Sequence, residues 1–174
     1  LVHSPSEALR GARRALDEIG PELKNLGPWI PLESELGWRL GLDLVPADIA
    51  VSAAVPSRSS WVVVVHNEYP LGDVAVYPAA AGGIEGTFPH QLPNRPAEDR
   101  AHWRSGKLCT GESVSGHPLA ISMSEPQSAE EMLSWHVLRT LDWLRAASRE
   151  ELLRPGDPYE LPVYSMPASP GPVI

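Results

Sequence analysis

The chain has 174 residues, an apolar fraction of 43% and a formal net charge of −8. That length suits one domain with a sizeable core, and the acidic balance argues against a nucleic-acid partner, whose affinity is largely a cationic effect. Cys109 is the only cysteine, so no intrachain disulfide is possible, and a reducing, cytoplasmic setting is expected.

The opening segment has neither the basic nor the apolar region of a signal peptide. It lacks an initiator Met, so residues are expected to precede it. Ser4-Pro5-Ser6-Glu7 reads as a helix start, with Ser4 as cap, Pro5 at the first helical position and Glu7 closing a capping box. Ala8, Ala12, Ala15, Leu16 and Ile19 then share one face, and Gly20-Pro21 interrupts or ends the helix.

From Trp38 the period changes to two. Trp38, Leu40, Leu42 and Leu44 alternate with Arg39, Gly41 and Asp43, the pattern of a half-buried strand. Ile49 to Val55 is a second candidate strand. Trp61 to Val65 is a β-branched run fit for a central strand, and Val74 to Tyr77 follows Tyr69-Pro70-Leu71-Gly72. The turns between these four strands are too short for crossover helices, which predicts an antiparallel meander. Ala79 to Thr110 has little periodicity and forms a long loop that ends at Cys109.

Ser128-Ala129-Glu130-Glu131 is a second capping box. Met132, Leu133, Trp135, Val137, Leu138, Leu141, Trp143 and Leu144 cover most of the helix it opens, which is therefore expected to be buried. Ser148 to Glu151 is a third box and predicts a short helix through Leu153. The last 20 residues hold six prolines and read as an extended tail or linker. The fold class is thus α+β: an N-terminal helix, a four-stranded antiparallel meander, a long loop and C-terminal helices. Residues 1–162 form the domain and 163–174 the tail.

Residue type alone leaves Cys109 with two readings, an inert core thiol or a nucleophile. The six histidines show no pair at metal-binding helical spacing, and Gly82-Gly83 lacks the Lys-Ser/Thr of a phosphate loop. No metal or cofactor is expected. Twelve of the 14 basic residues are Arg, leaving only Lys24 and Lys107. Codon bias explains that simply; a sharper explanation is an enzyme that attaches groups to amines and would modify itself. Lys107 stands two residues from the thiol.

Several motifs in order resemble the ubiquitin-conjugating enzymes. Trp61-Val62-Val63-Val64-Val65 leads to Tyr69-Pro70, Gly106-Lys107-Leu108-Cys109 resembles that family's Gly-x-Ile/Leu-Cys segment, and Ser134 to Leu141 is similar to its following long helix. Gly156-Asp157-Pro158-Tyr159-Glu160-Leu161-Pro162 resembles the tail of bacterial members from antiphage operons, found alongside or fused to a ubiquitin-activating-like domain. The resemblance covers roughly Trp38 to Pro162. It implies that Cys109 accepts a ubiquitin-like modifier as a thioester from an activating protein and transfers it to an amine on a protein target. It also implies that the first helix, with Arg10, Arg13 and Arg14, faces an activating enzyme.

One departure stands out. The family's His-Pro-Asn places Asn eight residues before the cysteine, where this chain has Ala101, followed by His102. Pro89-His90 and Pro93-Asn94 lie further upstream. The catalytic candidates are therefore Cys109 with His90, Asn94 and His102 as oxyanion donors. Two other readings stay open: a non-catalytic binding module of the same fold, and a cysteine hydrolase pairing Cys109 with His117 or His136.

Overall fold

The computed structural model describes residues 4–33, 37–96, 101–110, 126 and 128–153. Helix α1 spans Glu7–Leu16. Its cap is Ser6 rather than Ser4: Ser6 is extended, and its hydroxyl accepts the Leu9 amide at 3.3 Å. The helix tightens into a 3-10 turn over Asp17–Glu22. Gly20 there has φ +83°, a left-handed conformation that Gly adopts without steric cost, and Pro21 follows.

Among the described residues the sheet is antiparallel and has five strands: β1 Leu23–Lys24, β2 Ile30–Pro31, β3 Gly37–Leu44, β4 Ser59–His66 and β5 Val74–Pro78. Its order is β1-β3-β4-β5, with β2 also on β3. The α+β class and the meander hold, but the strand set differs from expectation. Ile49 to Val55 is not a strand. Both flanks of β3 are already taken, by β4 on one side and by β1 and β2 on the other. The segment instead closes a tight turn in which the Ser52 amide donates to the Val55 carbonyl; Val55 is buried in the core and Ile49 packs against its edge. The two-residue strands β1 and β2 are too short to leave a period in the sequence.

Register explains the alternation. Trp38 pairs with Val65, Leu40 with Val63 and Leu42 with Trp61. These residues form one inward row, and Leu40, Trp61 and Val63 are fully buried. Leu9 and Leu16 from α1 and Leu133, Leu141 and Leu144 from α2 join the same cluster. Helix α2 spans Ala129–Ser148, and Ser128 caps it as expected, accepting the Glu131 amide at 3.2 Å and donating to its carboxylate at 3.0 Å. The helix is buried around most of its circumference; Leu138 is its exposed large apolar residue. A fully buried leucine contributes about 2–3 kcal/mol.

The third capping box forms no helix start. Ser148 is the last residue of α2, and its hydroxyl donates to the Arg145 carbonyl. The Ala146 and Ala147 carbonyls accept the amides that follow, so Glu151 lies in a helix stop. A bidentate ion pair at 2.7 Å from Arg145 to Glu22 ties α2 to the 3-10 turn. The expected tail motif, Gly156 to Pro162, and the proposed domain end lie outside the described residues.

Candidate active site

Two segments of the long loop come together below β5. The Cys109 amide donates to the His90 carbonyl at 3.0 Å, and the Leu92 amide donates to the Lys107 carbonyl at 2.9 Å. Between these bonds Gln91 forms an antiparallel bridge with Leu108. This register sets His90 opposite Cys109, although the two are 19 positions apart in the chain. The Leu108 amide donates to the Val76 carbonyl, which fixes the ladder to β5.

Leu108 is buried at 1% exposure, whereas Lys107 and Cys109 on either side are partly exposed. Burial of Leu108 thus anchors the segment and turns its neighbours outward. The Thr110 amide donates back to the Leu108 carbonyl, making Cys109 the centre of a tight three-residue turn. His90 is buried and has φ +58°, a left-handed conformation uncommon outside Gly and found most at functional and turn positions.

The other two candidates sit elsewhere. Asn94 is buried, and its amide group donates to the carbonyls of Ile84 and Gly86, both at 2.9 Å. Its side-chain oxygen accepts from Arg104 at 3.1 Å. Asn94 therefore braces the loop. It also explains the glycine of the Gly-x-Leu-Cys segment, since a Cβ on Gly106 would lie 2.7 Å from Asn94 Oδ1 and 2.6 Å from Gln91 Nε2. His102 is exposed, and its carbonyl accepts the Ala80 amide. The Leu108 anchor is at Val76, four residues along the strand direction, or about 13 Å away. Of the three candidate donors, only His90 is paired with Cys109 across the ladder.

Helix α2 holds both sides of this ladder. Trp143 Nε1 donates to the Pro89 carbonyl at 3.2 Å, and its ring meets Phe88 and Trp61 edge-on. Seven residues earlier, on the same helical face, His136 Nδ1 shares a 2.7 Å hydrogen bond with Thr110 Oγ1. Helical periodicity places Trp143 in the core, and both His136 and Trp143 are buried. Their polar atoms add the positioning role, which periodicity alone does not reveal. The Tyr69 hydroxyl donates to the Ala129 carbonyl, securing the start of α2 against the Tyr-Pro turn.

Burial pushes the His136 imidazole down to about 4, and the positive charges of Arg139 and Lys107 oppose the pull of Asp73 in the other direction. His136 is therefore neutral at neutral pH. Because its folded value lies below the ordinary 6.5, the unfolded chain binds more protons between about pH 4 and 6.5. Stability is expected to rise with pH across that window, by an amount on the order of 3 kcal/mol for the full shift. Thermal unfolding of the chain and of His136→Asn at pH 4.5 and 7.5 checks this. The substitution should flatten the dependence, and an unchanged slope would refute the assignment.

His117, the other partner of the hydrolase reading, lies outside the described residues. The basic residues of α1 are engaged at home. Arg13 donates to the carbonyls of Leu26 and Gly27, while Arg10 and Arg14 pair with Glu7. No described helix is long and apolar enough to cross a membrane.

No protein-family model matches the chain. A curated protein does: over 144 residues the chain is 29% identical to the "ATP-dependent ubiquitin transferase-like protein Cap2" of Enterobacter hormaechei subsp. hoffmannii (strain UCI 50). The match covers 83% of this chain and 24% of that protein, so the chain spans about a quarter of its relative's length. In sequence the chain is thus similar to part of this ubiquitin transferase-like protein.

Proposed function

We propose that the chain is a conjugating unit that carries a ubiquitin-like modifier on Cys109 as a thioester. It would receive the acyl group from a ubiquitin-activating-like protein and pass it to an amine of a protein target. The observation that carries this reading is the backbone ladder that sets a partly exposed thiol opposite a buried histidine.

The chemistry is acyl transfer in two steps. In the first, the Cys109 thiolate attacks the carbonyl carbon of the partner's thioester, the new S–C bond forms, and the partner's thiolate leaves. In the second, the target amine attacks the same carbon, the C–N bond forms, Cys109 leaves as thiolate, and the amine's proton passes to water. A thiol suits both steps, being nucleophilic near neutral pH and a good leaving group. Each step passes through an oxyanion, which donors held about 3 Å away stabilise. His90, across the ladder from Cys109, is assigned that role. Asn94 spends its donors on loop carbonyls and His102 stands at the far end of the segment, so neither is assigned it.

The hydrolase reading is the weaker one. It needs a base at the thiol, whereas the His136 Nδ1 is bonded to Thr110. The binding-module reading makes no use of a thiol, and the chain retains one at the motif position.

The test mixes the chain with its activating protein, ATP and the ubiquitin-like partner, followed by a non-reducing gel. A reductant-sensitive adduct should form and should vanish in Cys109→Ser. Binding without an adduct would establish the module instead, and peptide or isopeptide cleavage by the chain alone would establish the hydrolase.

A further inference from the structure

Lys107 and Cys109 flank the buried Leu108 and both reach the surface. The segment runs antiparallel to β5: Trp103 lies opposite Ala79, the Arg104 amide reaches the Pro78 carbonyl, and the Leu108 amide reaches Val76. Asp73, immediately before β5, therefore lies beyond Cys109 along this direction. Lys107 Nζ nevertheless meets Asp73 Oδ2 at 2.7 Å. The side chain therefore extends toward the Cys109 end of the segment, and its contact with an exposed carboxylate holds the amine there.

Lys24 supplies the contrast. It lies on β1, at the opposite end of the strand order from β5. At about 4.8 Å per strand it is separated from β5 by roughly 14 Å across the sheet. The chain's two lysines are therefore one near amine and one far amine.

We propose that Lys107 is a modification site: the internal amine that takes the acyl group from Cys109, held back by its ion pair with Asp73. The acyl class is the C-terminal carboxyl group of a peptide or protein. In the step, the Lys107 Nζ lone pair attacks the carbonyl carbon of the Cys109 thioester. The C–N bond forms, the C–S bond breaks, Cys109 leaves as thiolate, and the proton lost from nitrogen goes to water. The product is an isopeptide that returns the thiol. An amine engaged with Asp73 must first break that contact to offer its lone pair, so the ion pair favours external acceptors over self-modification. The inference rests on Cys109 being the acyl carrier.

The test charges the purified chain with a short peptide thioester, which needs no activating protein. Intact mass follows the reductant-sensitive Cys109 adduct, and peptide mapping follows the stable amide. In the unmodified sequence the acyl group should move slowly to Lys107 and not to Lys24. Asp73→Asn should speed that transfer about fivefold, in keeping with the modest strength of an exposed ion pair. Asp73 is largely exposed, so this substitution leaves the core intact. Lys107→Arg and Cys109→Ser should each abolish the amide. A thiol that never charges overturns the carrier reading and this inference with it. A thiol that charges normally while Asp73→Asn yields no more Lys107 amide than the parent, or equal amide on Lys24, overturns the inference alone. Equal amide in Cys109→Ser also overturns it, since the acyl group would then bypass the thiol.

Discussion

His90→Ala is expected to slow discharge of the Cys109 thioester to an external amine by about a hundredfold, the usual cost of losing one oxyanion donor. The expectation rests on register. His90 lies across the ladder from Cys109, and its own carbonyl accepts the Cys109 amide. A left-handed φ of +58° makes the backbone a confounding factor, because His tolerates that conformation better than Ala for reasons separate from its ring chemistry. Two further variants separate the terms. His90→Gly relieves the backbone and still lacks a donor, so it should be as slow as Ala. His90→Asn tolerates the conformation and supplies an amide donor, so it should recover much of the rate. Single-turnover discharge of preloaded protein, with melting temperature measured in parallel, reads both effects. A Gly variant that discharges at the parent rate would remove His90 from the reaction.

The same residue shows what the sequence discloses and what it hides. Strands β3, β4 and β5 and helix α2 are legible because their burial repeats with a fixed period: Leu40, Leu42 and Leu44 at two, Leu133, Leu141 and Leu144 at helical spacing. The proposed nucleophile is legible from the Gly106-Lys107-Leu108-Cys109 segment. The residue that the structure pairs with it across the ladder is not. Counting back eight positions from Cys109 lands on Ala101, because spacing is a usable guide only where the intervening loop has a fixed length. Here the loop between the two rungs is longer, and the cross-strand register, not the offset, decides who faces the thiol. Hydrogen bonds to main-chain atoms leave even less trace. Nothing in the pattern around His136 or Trp143 distinguishes a ring that merely fills the core from one that also holds Thr110 or Pro89. The strand expected at Ile49 to Val55 fails for a related reason: local composition permits it, but β3 has no free flank to receive it.

Trp143 should therefore give two separable effects. Trp143→Ala removes a side chain with 2% exposure from contact with Trp61 and Phe88, and should cost about 3–5 kcal/mol, enough to unfold a marginal domain. Trp143→Phe keeps much of the aromatic packing but removes the N–H that binds the Pro89 carbonyl. Its stability cost should be about 1–2 kcal/mol, and its main consequence should be local. Pro89 leads directly into His90, so loosening it frees one rung of the ladder while the sheet stays paired. Amide hydrogen exchange distinguishes the two. In Trp143→Phe, protection should fall at the Cys109 amide, which donates to His90, and persist at Val63 in the centre of β4. Discharge of the thioester should slow in step, because an oxyanion donor displaced by even 1 Å loses much of its effect. Equal loss of protection at Cys109 and Val63 would show that Trp143 supports the fold as a whole. Loss confined to Cys109 would make α2 the element that holds the reacting groups in register.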